Sequence, residues 1–439
     1  MTGATRRVAV IGSGVSGLTA AWVLARDSEV VLYEADSRLG GHAHTHELAA
    51  GQDLRLGVDS GFIVHNDRTY PTLSRLFGEL GIRTQESDMS MSVRCDGCGL
   101  EYAGAKGPRG LFPAPSTLRR GAYLRMLGEI TRFHRLARAE LGGDGDELRT
   151  LGEFLREAAF SAYFTAHFMV PLVAAVWSCP PNLALEYPAR YLFTFLEHHG
   201  MLTVFGSPTW RTVSGGSANY VRAVAAGVHE VRAGVPVRSV HRASHTVAVR
   251  DDADQVEFFD AAIIATHPDQ ALRLLDTPTA TESAVLGALP YSPNRTVLHT
   301  DESVLPRSTG ARASWNYRLP QCHTAPDRVL VSYDLSRLQR LPGGADRRFL
   351  VTLGDGDRVA PEAVLATMEY EHPRYTTESV AARRRLPDLG DHTVAFAGAY
   401  HGWGFHEDGA VSGLRAAERV GGRWSARPSV PVRSSGTRS

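Results

Sequence analysis

Apolar runs and helically spaced apolar residues follow one another at the start of the chain in the order typical of a βαβ unit. Val8–Ile11 is a short, β-branched apolar run, which predicts a strand buried on both faces. Apolar residues at helical spacing follow from Leu18 to Ala25. A second apolar run, Glu29–Tyr33, predicts another strand. The chain therefore opens with a strand, a helix and a second strand.

Strand patterns return later in the chain. Val235–Val240, Ala261–Thr266 and Thr393–Gly398 predict further strands of the same kind. Thr296–Thr300 and Val329–Tyr333 alternate apolar and polar residues, so residues 286–385 are predicted to form an antiparallel sheet. Residues 86–205 lack this rhythm and contain helical patterns instead.

Glycines occupy the turn after the first strand in the order G-x-G-x-x-G. Gly12 permits a tight turn, Gly14 leaves room for a pyrophosphate, and Gly17 lets the helix pack closely on the strand. Glu34 ends the second strand, 22 residues after Gly12, where a carboxylate can accept hydrogen bonds from ribose hydroxyls. Its charge would repel a 2′-phosphate. The unit therefore predicts a dinucleotide site that disfavours NADP.

A second glycine motif follows directly. With Arg38, Gly40, Gly41 and His42 after Glu34, the chain resembles the flavin amine oxidase and phytoene desaturase superfamily, which has a Gly-Gly motif at this place. The resemblance implies that FAD is bound and that this motif approaches its pyrophosphate. The family usually has Arg where this chain has His42, which weakens the charge there or makes it pH-dependent. The alternative is an ordinary glycine turn.

Other segments match the family's flavin contacts. The resemblance places Gly61 and its apolar neighbours against the isoalloxazine ring, and Val237 beside the adenine. It also implies that a helix opening at Glu407 faces the pyrimidine end of the flavin. Ala399 stands where the family commonly has an acidic residue that contacts the ribityl chain. The expected cofactor-binding residues are Gly12, Ser13, Gly14, Ser16, Gly17, Glu34, Ala35, Arg38, Gly40, Gly41, His42, Gly61, Phe62, Ile63, Val237, Gly398, Glu407, Asp408, Gly409 and Ala410.

Pattern and resemblance together predict an α/β fold: a discontinuous Rossmann-type FAD-binding domain with an α+β substrate domain that contains a helical insertion. We assign residues 1–85, 206–285 and 386–423 to the FAD-binding domain, 86–205 to the helical insertion and 286–385 to the substrate-domain sheet. The tail, 424–439, is rich in Ser, Pro and Arg and is predicted to be disordered.

The insertion is rich in aromatic residues. The family builds its substrate cavity in an insertion of this kind, so several of these residues are expected to line an apolar pocket. They are Phe160, Tyr163, Phe164, Phe168, Trp177, Tyr191, Phe193 and Phe195.

Charge and hydropathy bear on the partners and the location of the protein. Lys+Arg and Asp+Glu both number 47, so charge gives no indication of a nucleic-acid partner. The most apolar stretch, Phe160–Trp177, contains His167 and Pro171 and is predicted to be a buried helix rather than a membrane span. Arg6 and Arg7 lead straight into the first strand without a signal peptide, so a cytoplasmic protein is expected.

Two groups of side chains have spacings that suggest metal binding. Cys95 and Cys98 form a C-x-x-C pair, but the sequence shows no second pair to complete a zinc site, and a tight turn with two unreactive thiols is expected. His42, His44 and His46 would share one face of a strand. Because no carboxylate or cysteine stands at matched spacing, we expect no metal there either.

One residue type is nearly absent. Flavin amine oxidases generally keep a lysine that contacts flavin N5 through a water, but Lys106 is the only lysine of this chain and lies far from the matching segment. An arginine could take its place but cannot readily give up a proton. Classical amine oxidation is therefore disfavoured.

The leading hypothesis is an FAD-dependent oxidoreductase that acts by hydride transfer to flavin N5 from an apolar, lipid-like substrate, fatty-acyl or isoprenoid. Trp177-Ser178 and Gly404–Gly409 resemble a bacterial subgroup in which some members are associated with modified fatty acids. The alternatives are a redox-neutral double-bond isomerase and a non-catalytic flavin-binding partner of a lipid-modifying enzyme. His406 is the first candidate for a catalytic residue, followed by Tyr317 and His65. A lipid-like substrate also leads us to expect peripheral contact with a membrane.

Overall fold

A parallel sheet forms the centre of one half of the molecule. The computed structural model describes residues 5–49, 55–143, 148–203, 206–323, 326–342 and 347–425. Its five parallel strands lie in the order Glu230–Ala233, Glu29–Glu34, Arg7–Ile11, Ala261–Ile264 and Val394–Phe396. These strands come from three separated stretches of the chain, so the predicted discontinuous Rossmann-type fold is confirmed.

Two helices beside the parallel sheet pack closely against each other. The helix Val15–Leu24 is buried along its whole length and packs against the helix His406–Arg419. A Cβ on Gly17 would lie 1.9 Å from the carbonyl oxygen of Gly12, so only glycine permits this approach. A Cβ on Gly413 would likewise lie 2.1 Å from the carbonyl oxygen of Ser16. The two helices therefore cross with their backbones nearly in contact.

A seven-stranded sheet forms the second half. Its order is Val364–Pro373, Tyr291–His299, Leu350–Leu353, Val331–Asp334, Trp315–Leu319, Met91–Cys95 and Leu100–Gly104. All neighbours are antiparallel except Trp315–Leu319 and Met91–Cys95, which run parallel. The antiparallel sheet predicted for residues 286–385 is present.

The stretch 86–205 is not wholly helical, which corrects our expectation. Its first part supplies two strands, Met91–Cys95 and Leu100–Gly104, which extend the seven-stranded sheet. Their short apolar runs flank the turn at Cys95–Cys98, which is a sequence signal for a β-hairpin. We missed this signal because the rest of the stretch has helical patterns. The helices follow from residue 107 onward. The domain boundaries themselves remain predictions.

The remaining elements cover the two large sheets. Smaller sheets are formed by Val237–Arg242, Val247–Asp251 and Val256–Phe259, by Thr45–Ala49 and Arg55–Asp59, and by His65–Asn66, Trp210–Val213 and Thr84–Glu86. Other helices are Pro71–Leu80, Gly107–Leu111, Gly121–Leu141, Leu151–Glu157, Ala162–Phe164, Val170–Trp177, Ala189–His198, Ala218–Ala225, Pro268–Leu274, Ala280–Gly287, Leu335–Leu338 and Thr377–Arg383. In the described part of the chain, none of these helices has both the length and the apolarity needed to cross a bilayer.

Trp424 belongs to the folded core, which corrects the predicted start of the disordered tail. Its indole N–H donates to the carboxylate of Glu79, at 2.9 Å from the nearer oxygen. The guanidinium of Arg75 lies 4.3 Å from the centre of a Trp424 ring. The rest of the predicted tail, residues 426–439, lies outside the described residues.

Candidate active site

A cavity of about 730 Å³ opens at the carboxyl ends of the parallel strands. Ile11 and Glu34, the last residues of two of these strands, line it on one side. Trp315, Tyr333 and Leu353 of the seven-stranded sheet line it on another. This is the place where open α/β sheets bind ligands, and the volume falls within the range of about 300–1,000 Å³ for ligand clefts.

The two glycine motifs meet at one wall of the cavity. Gly14 immediately precedes the helix Val15–Leu24, and a Cβ built there would have no neighbouring atom within 4 Å. Gly41 has φ +56°, and a Cβ on it would lie 3.3 Å from the Cα of Gly14. The helix N-terminus offers unpaired N–H groups to the same space. The wall is therefore open to a phosphate group at Gly14, whereas a side chain on Gly41 would press on the Gly14 backbone.

Glu34 is tied to the first glycine turn. One carboxylate oxygen accepts hydrogen bonds from the backbone N–H and the hydroxyl of Ser13, at 2.8 and 2.6 Å. The other accepts from the N–H of Asp36 at 3.0 Å. The Ser13 hydroxyl oxygen also accepts from the N–H of Gly40, at 3.0 Å. This network fixes both glycine motifs against the end of the second strand.

Most of the predicted cofactor-binding residues come together in the cavity. Those that line it are Gly12, Ser13, Gly14, Ser16, Glu34, Ala35, Gly41, His42, Gly61, Phe62, Ile63, Val237 and Gly398. Those that do not are Gly17, Arg38, Gly40, Glu407, Asp408, Gly409 and Ala410. This second group lies outside the cavity lining, and its expected contact with the cofactor stays a prediction.

Charged residues of the second group act on the protein's own backbone. The Arg38 guanidinium donates to the carbonyls of Leu39 and Ala43, at 3.1 and 3.4 Å. The Glu407 carboxylate accepts from two N–H groups at the start of the helix Pro71–Leu80, at 2.9 and 3.0 Å. Asp408 caps its own helix by accepting from the N–H of Phe405, at 2.9 Å. Burial raises the pKa of Asp408 to about 7.

His406 is the one predicted catalytic residue that lines the cavity. It is the first residue of the helix His406–Arg419, and its ring stacks on Phe62 with centroids 3.7 Å apart. Its Nε2 lies 3.4 Å from the Tyr220 hydroxyl. Burial lowers the pKa of His406 to about 3, so its imidazole is neutral at physiological pH.

Tyr317 and His65 do not line the cavity, and their catalytic role stays a prediction. Tyr317 is buried within the seven-stranded sheet, where its hydroxyl has no partner among the described residues. His65 packs edge-on against Phe77, and burial lowers the pKa of His65 to about 4. Sequence position alone did not reveal on which side of its strand each side chain lies.

His42 takes a neutral form where the family usually has Arg. Its ring lies 5.0 Å from Tyr370 and 5.4 Å from His372, measured between centroids. Burial, with the neighbouring His372, holds the pKa of His42 well below its usual value. The wall beside the glycine motifs therefore lacks the guanidinium that the resemblance implies.

Two residues that line the cavity carry buried polar groups without partners, and sequence reasoning missed them. The Tyr400 hydroxyl and the Trp403 indole N–H are buried and have no hydrogen-bond partner in the described part of the chain. Both residues line the cavity. Tyr400 directly follows Ala399, which stands where the family commonly has an acidic residue. The missing acidic residue was the sequence signal that could have drawn attention to Tyr400. An unpaired buried donor is costly unless a ligand satisfies it.

The apolar wall differs from the one expected. Of the eight aromatic residues expected from the insertion, Trp177 alone lines the cavity. The other seven pack in or against a hydrophobic core, as in the stack of Phe160 on Phe164 at 4.7 Å. Val176, Met89 and Leu353 complete the apolar surface beside Trp177. Lys106 does not line the cavity, because its Nζ donates to the Arg312 carbonyl at 2.6 Å.

The C-x-x-C turn, expected to carry two unreactive thiols, has two further potential metal ligands beside it. The Cys322 Sγ lies 3.7 Å from that of Cys95, and His167 Nε2 lies 3.6 Å from the Cys98 Sγ. In contrast, the alternating histidines form no such group. His44 stacks on His46 with centroids 4.1 Å apart, and His46 Nε2 lies 2.9 Å from the Ser60 hydroxyl.

Comparison with known proteins gives one family and many similar folds. A family model described as flavin containing amine oxidoreductase matches residues 15–333. A search of curated proteins finds no match.

Among solved structures, cyclohexylamine oxidase from Brevibacterium oxydans IH-35A has 17% identity and a TM-score of 0.67, covering 94% of this chain and 98% of its own. Wild-type putrescine oxidase bound to putrescine has 16% identity and a TM-score of 0.67, covering 95% and 99%. A fatty acid isomerase from P. acnes, described as CLA-producing, has 14% identity and a TM-score of 0.66, covering 93% and 97%. At these identities the likeness establishes the fold alone.

Proposed function

Since the chain belongs to the flavin-containing amine oxidoreductase family, we propose that it is an FAD-dependent oxidoreductase that oxidises or desaturates an apolar, lipid-like substrate, fatty-acyl or isoprenoid. The observation that carries the proposal is the cavity. It joins the glycine motifs to an apolar wall, and no lysine among the described residues lines it.

We propose FAD, rather than a flavin without a nucleotide, as the cofactor. Gly14 and the N-terminus of the helix Val15–Leu24 would hold the pyrophosphate, and Glu34 would accept from the ribose hydroxyls. Val237, beside the expected adenine, lines the same cavity. Tyr400 lines the cavity next to Ala399, which offers no polar side chain, and we propose that its buried, unpaired hydroxyl binds the flavin chain.

An apolar substrate suits the remaining wall. Val176, Trp177 and Leu353 present hydrocarbon surface, and transfer of an alkyl chain onto such a surface gains about 25 cal/mol per Å² removed from water. The carboxylates that line the cavity are Glu34, at the glycine motifs, and Glu371, which accepts from His267 at 2.9 Å. An ammonium group at the apolar wall would therefore lack a free carboxylate. We propose on this ground that amines are not the substrates.

When bound, the flavin would accept a hydride from a substrate C–H bond. The protein's part is to hold that bond near the ring, to exclude water, and to receive a proton where one leaves. His406 is our candidate for the proton acceptor, because it is the predicted catalytic residue that lines the cavity; its low pKa makes it a weak base that holds the proton only transiently. Trp177 and Phe405 shield the same region from solvent; both line the cavity, and their ring centroids are 6.4 Å apart.

A redox-neutral double-bond isomerase is the alternative, favoured by the fold shared with a fatty acid isomerase. A non-catalytic flavin-binding partner of a lipid-modifying enzyme is a third hypothesis. An oxidoreductase removes two hydrogens from its substrate, an isomerase leaves the mass unchanged, and the third leaves the substrate intact. The product mass separates the oxidoreductase from the other two, and chromatographic separation of double-bond isomers distinguishes the isomerase from the non-catalytic partner. We keep the cytoplasm and peripheral contact with a membrane as proposals.

Ligand binding tests the substrate class. Fatty acids and simple amines are titrated separately into the FAD-loaded protein, and perturbation of the flavin absorption spectrum is recorded. We expect saturable perturbation by long-chain fatty acids and none by putrescine or cyclohexylamine. At one cavity position, Val176→Phe should abolish the perturbation, because it fills the space, whereas Val176→Ala should preserve it. Perturbation by amines alone would contradict the proposed substrate class.

A further inference from the structure

Four potential metal ligands converge outside the cavity. The Sγ atoms of Cys95, Cys98 and Cys322 and one ring nitrogen of His167 all lie within 4.8 Å of one another. All four cysteines of the chain are free thiols. We propose that these three cysteines and His167 bind one structural zinc ion, a Cys₃His site; this inference is independent of the proposed function.

Two of the six separations between the four ligand atoms match those around a tetrahedral ion, and all six are within 4.8 Å. With Zn–S bonds of about 2.3 Å and Zn–N bonds of about 2.0–2.1 Å, tetrahedral geometry places two sulfurs about 3.8 Å apart and a sulfur and a nitrogen about 3.6 Å apart. The Cys95–Cys322 separation is 3.7 Å and the Cys98–His167 separation is 3.6 Å. A disulfide would need its sulfurs at about 2.05 Å.

His167 is held in the form that a metal requires. Its Nδ1 lies 3.1 Å from the carbonyl oxygen of Tyr163, so Nδ1–H donates there and the Nε2 lone pair is left free. The Tyr163 ring stacks on the imidazole with centroids 3.9 Å apart, which fixes the plane of the ring. The Tyr102 hydroxyl also donates to the His167 carbonyl at 2.7 Å. These contacts direct Nε2 toward the Cys98 sulfur.

The backbone around the thiols is shaped to bring them together. The N–H of Gly99 donates to the Cys95 carbonyl at 2.9 Å and Gly99 has φ +68°, so the chain turns back directly after Cys98. A Cβ on Gly97 would lie 3.0 Å from the Cα of Gln321 and 3.2 Å from the N of Cys322. A larger residue at position 97 would push the Cys322 loop away from the other two sulfurs.

Charge at the site is also accommodated. Three thiolates, a neutral imidazole and Zn²⁺ carry a net charge of −1, after the thiol protons are released to solvent. The Arg120 guanidinium donates to the carbonyls of Cys98 and Gly99, at 2.6 and 3.3 Å, and so places a positive charge beside the thiolates. Asp96, within the turn, is already engaged by Arg94 and Arg318, each at 2.8 Å.

All four coordination positions come from the protein, which is typical of a structural rather than a catalytic zinc. The ligands join three segments: the hairpin turn after Met91–Cys95, the loop after Trp315–Leu319, and the π-helical turn Thr165–Met169. That turn leads directly into the helix Val170–Trp177, which carries Val176 and Trp177 of the cavity wall. The ion would hold this wall against the seven-stranded sheet.

Metal analysis of the wild-type, FAD-loaded protein tests the proposal. The protein is incubated with zinc under reducing conditions, desalted and analysed by elemental mass spectrometry, with about one zinc ion per chain expected. X-ray absorption at the zinc edge should show three sulfurs at about 2.3 Å and one nitrogen at about 2.0–2.1 Å. This measurement needs no variant and does not depend on enzyme activity.

Substitutions at the proposed ligands test which residues bind the zinc ion. The double variant Cys98→Ala/Cys322→Ala should lose the zinc, whereas Cys179→Ala should keep it, because the Cys179 thiol instead donates to the Val173 carbonyl. The exposed His245 provides a second control as His245→Ala, to be compared with His167→Ala. Absence of zinc in the wild type, iron in its place, a shell of oxygen and nitrogen only, or zinc retained in the double variant would each overturn the proposal.

Discussion

Gly41 lies directly against Gly14, although 27 positions separate them: a Cβ on Gly41 would be 3.3 Å from the Cα of Gly14. The contact joins the second glycine motif to the first. Above it, nothing within 4 Å would obstruct a Cβ on Gly14 itself. The space that the two motifs leave open is the space proposed for the FAD pyrophosphate.

Gly14→Leu should therefore yield a folded but colourless protein. The free protein has room for the side chain, but the pyrophosphate would lose its place. Flavin absorbance per chain after purification measures the effect. Gly78→Leu is the matched control, because Gly78 also has no atom within 4 Å of a Cβ and lies on an exposed helix surface away from the cavity. Equal flavin content in the two variants would contradict the assigned site.

Tyr400→Phe should weaken FAD binding while stabilising the free protein. A hydroxyl that finds its partner only in the complex contributes about 0.5–1.5 kcal/mol, or roughly 2- to 10-fold in Kd. Left unpaired in the free protein, the same hydroxyl costs about 1–3 kcal/mol. Titration of the FAD-free protein gives the first quantity and its Tm the second.

Tyr317→Phe is the control for this prediction, because the Tyr317 hydroxyl is also buried and unpaired but does not face the cavity. It should raise Tm without changing FAD affinity. An equal loss of FAD affinity in both variants would show that the hydroxyl of Tyr400 has no particular role in binding.

His406→Ala should slow flavin reduction by substrate about 10²–10⁴-fold, the usual loss for a general base, while FAD stays bound. The wild-type rate should show no imidazole ionisation between pH 5 and 8, since burial lowers the pKa of His406 to about 3. Stopped-flow reduction at saturating substrate measures both. His65→Ala, outside the cavity, should react at the wild-type rate. A wild-type rate in His406→Ala would exclude the base role.

Stability of the FAD-free protein should fall as the pH is lowered from 7 to 5. Burial lowers the pKa values of several histidines to about 4, among them His199, His372 and His401, and that of His406 to about 3, against 6.5 for a free imidazole. Above pH 6.5 these histidines are neutral in both the folded and the unfolded state, and the stabilisation of the folded state is complete. Below that value the unfolded state takes up protons that the folded state does not, so the free energy of unfolding falls. One such group lowers the free energy of unfolding by about 2 kcal/mol at pH 5 relative to neutral pH.

Buried carboxylates, including Asp334, act in the opposite sense, because burial raises their pKa values. Burial raises the pKa of Asp59 to about 6 and that of Asp408 to about 7, so their stabilisation is lost as pH rises through those values. The histidines outnumber them, so the net slope should be positive between pH 5 and 7. Thermal unfolding across this range measures it, and a Tm that rises on acidification would contradict the balance.

Sequence reasoning succeeded where the determinants are local. Gly12, Gly14 and Glu34 stand within one βαβ unit, so their spacing alone fixed their common place at the cavity. It is incomplete where distant segments decide. Glu407 stays a predicted cofactor contact, but its carboxylate caps a helix that begins 336 positions earlier, at Pro71. No pattern within the C-terminal motif indicates that partner.

The thiol cluster shows the same limit. The C-x-x-C spacing identifies Cys95 and Cys98 as a pair in the sequence. Cys322, however, is 227 positions from Cys95, and His167 lies within an apolar helical stretch. Only the parallel pairing of Trp315–Leu319 with Met91–Cys95 brings the Cys322 loop to the turn. A strand pairing of this kind has no signature in either segment alone.

Anaerobic flavin reduction tests the central claim most directly. The FAD-loaded protein is mixed without oxygen with a long-chain fatty-acyl or isoprenoid lipid, or separately with putrescine or cyclohexylamine, and the flavin absorbance is followed. The account predicts bleaching by the apolar substrate, with loss of two hydrogens from its mass, and no bleaching by either amine. Bleaching by an amine, with none by any lipid, would contradict it.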